Sequence, residues 1–127
     1  MLEIKDLTKY YGKFTALNNL NLHINKGEIF GFVGPNGAGK TTAMKIITGL
    51  LSQDSGKVYV DGYEVKTNSK EIKKKIGYMP DFFGVYDNLK AIEYMEFFAS
   101  IYGIEGKEAR EISLRLIDLV NLSDHTD

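Results

Sequence analysis

The residues best suited to chemistry form one uninterrupted run that fits the pattern G-x-x-x-x-G-K-[ST]: Gly34-Pro35-Asn36-Gly37-Ala38-Gly39-Lys40-Thr41. Glycines let successive backbone N–H groups close around an anion, and a lysine adds a positive charge to that cage. A helix that begins near Lys40 would point the positive end of its dipole at the same place. The run therefore predicts a loop that binds the phosphates of a nucleotide.

The polar residues at the end of the run have distinct expected roles. Lys40 would reach the β- and γ-phosphates as a point charge. The Thr41 hydroxyl would be a ligand of Mg²⁺, because this ion prefers hard oxygen donors and shares them with phosphates. Thr42 could add a hydroxyl contact to a phosphate nearer the sugar. A glycine-rich turn without a ligand is the structural alternative, but the run follows an apolar segment and precedes a helical pattern, as a phosphate loop requires.

The elements that must position this loop follow from the spacing of apolar residues. Alternation over residues 2–7 and a strand-like pattern over residues 16–24 predict two strands. The nearly continuous apolar run at residues 28–33 predicts a strand covered on both faces, as in a parallel sheet. Apolar steps of three and four over residues 40–51 predict the helix after the loop.

Further elements are predicted downstream of that helix. Asp61-Gly62, between β-branched and aromatic residues, predicts a two-residue hairpin turn. Residues 76–79 read as a short strand that ends at Pro80. Helices are predicted over residues 69–75, over 89–101 with Gly103 as the stop, and over 112–120.

Composition limits the classes of protein that the chain can be. It has 127 residues, which allow one domain with a small lobe, and a formal net charge of −1, which argues against nucleic acid as the main partner. The absence of cysteine excludes disulfides, Cys-ligated zinc and thiol nucleophiles. No apolar run approaches the roughly 20 residues that a membrane helix needs, so we expect no direct membrane span.

Several separate motifs occur in an order that closely resembles the ATP-binding subunit of ABC transporters; they lie at residues 7–17, 27–42, 54–58 and 76–80. The resemblance runs from about Leu2 to the last residue. It implies an α/β fold of the P-loop NTPase class, ABC ATPase type, with an N-terminal β-rich subdomain, the phosphate-loop strand–helix unit and the start of a helical lobe. It also implies an ATP-binding core at residues 1–86 and a truncated helical subdomain at 87–127.

The resemblance adds residues to the expected site. Tyr11, directly before Gly12, is similar to the aromatic residue of the family that stacks on adenine, and Tyr10 is the neighbouring alternative. A tyrosine that only packs or lies at the surface is the alternative without a ligand. Ala16 is implied as a lining residue of the same base pocket. Asp81 stands where the family usually carries a glutamine that contacts Mg²⁺ or the attacking water, and it either contacts the metal or merely begins a loop.

The complete expected site combines both lines of reasoning. The expected Mg²⁺ ligands are Thr41 and Asp81. The expected nucleotide-binding residues are Tyr11, Gly34, Pro35, Asn36, Gly37, Ala38, Gly39, Lys40, Thr41 and Thr42.

The family resemblance also implies cofactors, partners and a location. The cofactors are ATP and Mg²⁺, and the partners are a second ATP-binding subunit and membrane-spanning permease subunits rather than nucleic acid. The implied location is cytoplasmic, at the inner face of the cell membrane through those partners. An apolar cluster either faces a membrane subunit or packs beneath the helical lobe; its members are Phe82, Phe83, Val85 and Tyr86. The lysines at 70 and 73–75 are expected on a solvated face, and His23 and His125 at the surface or in a strand.

Three motifs of the resembled family do not occur in this sequence. They are a Leu-Ser-Gly-Gly-Gln signature, an apolar strand ending in Asp-Glu after the last predicted helix, and a switch histidine beyond that strand. Phosphoryl transfer in the family draws its electrostatic and water-positioning groups from them. We therefore expect an incomplete N-terminal portion that binds nucleotide and turns over little or none alone. A soluble ABC ATPase of repair or translation and a binding-only remnant are the alternative functions.

Overall fold

A computed structural model describes residues 1–81, 84 and 88–123 of the chain. The chain divides into two compact units, Met1–Met79 and Pro80–Asp127. The predicted apolar cluster at residues 82, 83, 85 and 86 and the lone His125 lie outside the described residues. The functional division that we place between residues 86 and 87 stays a prediction.

The first unit is a sheet with short helices, and the second unit contains two longer helices. The bounds in chain order are β1 (Leu2–Tyr11), β2 (Phe14–Ile24), α1 (Lys40–Ile47), β3 (Ser55–Val60), β4 (Tyr63–Glu64), α2 (Ser69–Lys73), α3 (Ala91–Ile101) and α4 (Gly106–Leu119). The two N-terminal strands, the hairpin and the helices predicted from the sequence are all present, with some shift of their ends.

The sheet is antiparallel throughout, with the strand order β2-β1-β3-β4. The central strand β1 places Ile4 opposite Leu22 on one side and opposite Val58 on the other. Between β3 and β4, Asp61 and Gly62 both have positive φ angles, 48° and 82°. This is the pattern of the turn that an Asp-Gly hairpin favours, so the predicted hairpin is confirmed.

One apolar cluster holds α1 against this sheet. It combines buried residues of the strands with buried residues of α1, α2 and the segment between β4 and α2: Ile4, Leu7, Leu17, Ala43, Ile46, Val58, Val65 and Ile72. Full burial of one such aliphatic side chain contributes about 1.5–3 kcal/mol. The cluster therefore holds α1 against the sheet, with Lys40 as the first residue of that helix.

Helix α1 ends four residues earlier than the apolar periodicity predicts. Gly49 takes φ 72°, its amide donates to Ile46 O at 3.0 Å, and the amide of Leu50 donates to Lys45 O at 2.8 Å. These two bonds form the glycine-terminated cap that commonly closes a helix. The apolar residues beyond it continue the helical spacing but not the helix.

The predictions of two strands, at residues 28–33 and 76–79, are wrong. Residues 28–33 and 76–79 have no regular secondary structure, and within the part of the chain that the structure describes no strand runs beside either of them. Ile29 and Val33 are fully or nearly fully exposed, at 103% and 94%. A strand needs a hydrogen-bonded neighbour as well as an apolar run, and that neighbour is not present among the described strands.

The second unit pairs α3 with α4. Glu93 accepts a hydrogen bond from the backbone N–H of Lys90 at 3.0 Å, which satisfies a donor at the start of α3. Gly103 has φ 77° and closes α3, as predicted. Arg110 of α4 donates to Glu96 of α3 at 3.0 Å. Among the described residues, no helix is both long and apolar enough to cross a membrane.

Candidate phosphate-binding site

The run at residues 34–39 forms an exposed loop that leads directly into α1. Gly37 and Gly39 have φ angles of 84° and 85°, a region that other residues rarely adopt. The amide of Ala38 donates to Pro35 O at 3.2 Å and so turns the chain. Among the described residues, the amides of Gly37 and Gly39 have no protein acceptor. The loop thus offers backbone donors to a ligand, as the sequence motif predicts.

The last glycine of the loop rests on the edge strand β2. A Cβ built on Gly39 would lie 2.3 Å from Ala16 O and 2.8 Å from Leu17 Cδ2. A Cβ on Gly37, by contrast, would meet nothing within 4 Å. Glycine is therefore required at position 39 by close packing as well as by its φ angle.

The Lys40 ammonium folds back over the start of the loop. It donates to Gly34 O and to Pro35 O, the latter at 2.7 Å. An ammonium has three donors, so one remains for an incoming anion while the other two hold the loop closed. Lys40 carries the only charge in the run from Gly34 to Thr42. Neutral carbonyls do not cancel that charge, and the site keeps a positive field.

The start of α1 adds to this field. Its first intrahelical bond runs from Ala43 N to Gly39 O at 2.8 Å, and its first turn contains no acidic residue. The positive end of the helix dipole therefore faces the loop, and no carboxylate within the helix's own first turn offsets it. Thr41 is exposed and Thr42 is half-buried in this first turn. Thr41 is the hydroxyl that could hold Mg²⁺ together with phosphate oxygens.

Tyr11 is the last residue of β1 and pairs with Phe14 across a two-residue turn. Its neighbours Lys9 and Tyr10 pair with Leu17 and Thr15 of β2, the residues on either side of Ala16. Since Gly39 lies against Ala16, the structure brings the phosphate loop and the end of β1 onto the same part of β2. Tyr10 and Tyr11 are exposed to nearly the same degree, 49% and 48%, so exposure alone does not choose between them.

The remaining sequence candidates lie outside the loop in the sequence. Asp81 is exposed and belongs to the second compact unit, so its contact with a metal stays a prediction. The four lysines at 70 and 73–75 are exposed, as predicted for a solvated face. His23 lies in β2 with Nε2 3.1 Å from Asn25 Oδ1, a surface contact rather than a metal site.

Sequence reasoning missed two residues next to Tyr11. Lys9 places its ammonium 5.9 Å from the centre of the Tyr11 ring and 3.3 Å from Asp54 Oδ1. Asp54 also accepts a hydrogen bond from Tyr10 N at 2.7 Å, and that amide lowers the pKa of the Asp54 carboxyl below its ordinary value. Asp54 lies 45 residues from Lys9 along the chain, and no local pattern reveals such a pair.

Comparison with known proteins decides the family. The family model described as ABC transporter matches residues 17–126 of the chain. The chain belongs to the ABC transporter family. The recognition made from the sequence motifs is thereby confirmed, and the phosphate loop described above lies inside the matched range.

Several ABC transporter ATP-binding proteins are similar to this chain over most of its length. A probable multidrug protein of Escherichia coli, YbhF, is 38% identical over 96% of this chain and 21% of its own. The linearmycin resistance protein LnrL of Bacillus subtilis is 36% identical over 98% of this chain and 40% of its own. The lantibiotic transport protein SrtF of Streptococcus pyogenes is 43% identical over 82% of this chain and 44% of its own length. The chain thus spans less than half the length of these curated relatives.

Solved structures of ABC cassettes share the fold. The ATP-binding subunit of an ABC transporter superposes with a TM-score of 0.83 at 27% identity, covering 99% of this chain and 52% of that one. A dimeric cassette in a post-hydrolysis state with ADP and Pi bound gives a TM-score of 0.83 at 29% identity, covering 99% of this chain and 60% of that one. The predicted fold class, a partial ABC-type P-loop ATPase, is confirmed.

Proposed function

We propose that this chain is the nucleotide-binding portion of an ABC transporter ATP-binding subunit, which binds Mg·ATP to drive substrate transport through separate membrane subunits. The observation that carries the proposal is the position of Lys40, held by Gly34 O and Pro35 O at the positive end of α1. A triphosphate needs closely spaced donors and a positive charge in one place, and this loop offers both. The ADP and Pi of the related dimeric cassette support a nucleotide as the ligand.

Within this site the residues take separate parts. Amides of the loop and the Lys40 ammonium bind the phosphates, the Thr41 hydroxyl and Asp81 bind Mg²⁺, and Tyr11 stacks on the adenine. The exposed ring of Tyr11 supports the last of these roles, because a base needs an open aromatic face. Stacking of this kind contributes about 1–3 kcal/mol per base.

The partners follow from the family and its relatives. We infer that the intact protein pairs with a second ATP-binding subunit and works beneath membrane-spanning permeases, at the cytoplasmic face of the membrane. The dimeric state of the related cassette and the transport functions of the relatives support this inference. The 127-residue sequence carries neither the signature nor the acidic strand of the family, so we propose that this chain binds nucleotide without turning it over.

Calorimetric titration of the purified 127-residue chain with Mg·ATP tests the proposal. Replacing Lys40 by alanine removes a charge-assisted hydrogen bond and should weaken binding by about 10- to 150-fold. Lys45→Ala is the matched control, since Lys45 is an exposed lysine in the last turn of the same helix. Equal affinities for the unmodified chain and Lys40→Ala would contradict phosphate binding at the loop. Lys40-dependent release of phosphate would instead overturn only the absence of turnover.

A further inference from the structure

The carboxylate of Asp54 clamps the end of β1, immediately before Tyr11. Its Oδ2 accepts from Tyr10 N at 2.7 Å and its Oδ1 accepts from Lys9 Nζ at 3.3 Å. The backbone N–H of Asp54 donates to Thr8 O at 3.1 Å. One residue thus bonds to three successive residues of the strand end. Since Asp54 directly precedes β3, the clamp ties the strand end to the next strand of the sheet.

Lys9 links this clamp to the Tyr11 ring. Its ammonium lies 5.9 Å from the ring centre, within the range of a cation–π contact. The Lys9 side chain is only 14% exposed, so its ammonium is held in place rather than extended into solvent. Tyr11 nevertheless remains 48% exposed. The ring is therefore restrained from the side of Lys9 while much of its surface stays accessible.

We propose that Lys9 and Asp54 are positioning residues that hold the Tyr11 ring ready to stack on the base of a nucleotide. The inference rests on the proposed function, in which Tyr11 contacts adenine. A ring already fixed in its bound orientation loses less conformational entropy when the base arrives, so affinity rises without any new contact to the ligand. Lys9 acts on the ring directly, and Asp54 acts by holding Lys9 and the Tyr10 amide.

Two probes separate this role from simple support of the fold. Mg·ATP contacts both the phosphate loop and Tyr11, whereas magnesium tripolyphosphate has no base and reports on the loop alone. Lys9→Met keeps the length of the side chain but removes the charge that faces Tyr11 and Asp54. We expect it to weaken Mg·ATP binding roughly two- to tenfold, the cost of ordering one side chain, and to leave tripolyphosphate binding unchanged.

Three further variants complete the test. Lys9→Arg keeps a cation for both the carboxylate and the ring and should restore the affinity for Mg·ATP. Lys13→Met removes one positive charge from an exposed position in the adjacent turn, and should change neither affinity. In a Tyr11→Ala background, Lys9→Met should have no further effect on ATP binding, because the ring through which Lys9 acts is gone.

Each outcome has a distinct meaning. Selective loss of ATP affinity in Lys9→Met, absent in the Tyr11→Ala background, supports the proposal. Equal losses for ATP and tripolyphosphate would overturn it, because the lysine would then act through general charge or stability. If Tyr11→Ala weakens ATP binding but Lys9→Met does not, the positioning role fails while the proposed function stands. If the unmodified chain binds neither probe, the proposed function itself fails.

Discussion

Gly39 and Ala16 touch so closely that no side chain fits between the phosphate loop and strand β2: a Cβ at Gly39 would stand 2.3 Å from the Ala16 carbonyl oxygen. This contact fixes the end of the loop on the sheet one residue before Lys40 begins α1. The motif requires glycine at this position so that a phosphate can approach the backbone. The same glycine is also needed for the loop to pack on β2. The position of the loop follows from packing within the first unit, before any ligand binds.

The contact predicts a difference between two glycine substitutions. Gly37→Ala and Gly39→Ala both force alanine into a positive φ angle, which costs about 1–2 kcal/mol. Only the alanine at position 39 also meets backbone atoms of Ala16, and the resulting shift should cost about 1–3 kcal/mol more. Urea unfolding of the two variants measures the difference. Equal losses of stability would contradict the close contact between loop and strand.

Acid should weaken the clamp at the end of β1. The Tyr10 amide, and after it Lys9, lowers the pKa of the Asp54 carboxyl below its ordinary value of 3.8. A carboxyl whose pKa is lower in the folded chain stabilises the fold at every pH above that ordinary value. The contribution is lost as the pH falls through the folded-state pKa.

Comparison of the unmodified chain with Asp54→Asn measures this effect. The difference in their free energies of unfolding should be constant from neutral pH down to the ordinary carboxyl pKa of 3.8 and should shrink as the pH falls below it. Other carboxyls with lowered pKa, such as Asp61, are present in both proteins and cancel in the difference. A difference that does not change with pH would exclude the ionised clamp.

Residues 29–33 should exchange their amide hydrogens rapidly in this chain. They have no ladder partner among the described strands, and Ile29 and Val33 are almost fully exposed. Amides without hydrogen bonds are unprotected, whereas those of the β1 ladders should exchange slowly. Hydrogen-exchange mass spectrometry resolves the two segments. Protection of residues 29–33 equal to that of β1 would mean that the segment pairs as a strand in solution.

The roles of the two threonines in α1 can be separated by magnesium. We expect Thr41→Ala to remove most of the gain in ATP affinity that Mg²⁺ provides, because a hydroxyl ligand of the ion is lost. Thr42→Ala should lower the affinity for ATP both with Mg²⁺ and without it, and should leave the gain that Mg²⁺ provides unchanged. Titrations in the presence of Mg²⁺ and in the presence of a chelator measure both effects. Thr41→Ser keeps the hydroxyl and should behave like the unmodified chain; a loss of the gain in Thr41→Ser as well would argue against a hydroxyl ligand.

Local signals in the sequence predicted much of the fold. The Asp61-Gly62 turn, the start of α1 at Lys40 and the stop at Gly103 depend on residues close together in the chain, and the structure has each of them. The strand predicted at residues 28–33 depends instead on a neighbour that the pattern cannot supply. The early end of α1 was missed because apolar spacing continues past Gly49, although the glycine itself was a visible stop signal.

The candidate site likewise has a part that the sequence predicts and a part that it does not. The phosphate loop was predictable because all of its residues are consecutive, so the motif and the geometry coincide. The link from Asp54 through Lys9 to Tyr11 was not predictable: the motif at residues 54–58 includes Asp54, but nothing in it indicates contact with a residue 45 positions earlier in the chain. The contact of Gly39 with Ala16 is likewise visible only once β2 is folded against the loop.

The central claim is that backbone N–H groups within residues 34–41, those of Gly37 and Gly39 among them, hold the phosphates of ATP together with the Lys40 ammonium. Titrating the ¹⁵N-labelled chain with Mg·ATP and following each backbone amide by NMR tests it most directly. We expect the largest saturable shifts at the amides of Gly37, Gly39 and Lys40. In Lys40→Ala, but not in Lys45→Ala, saturation of the Gly37 and Gly39 shifts should require about 10- to 150-fold more ligand. Saturable shifts confined to other parts of the chain, or none at these three amides, would contradict it.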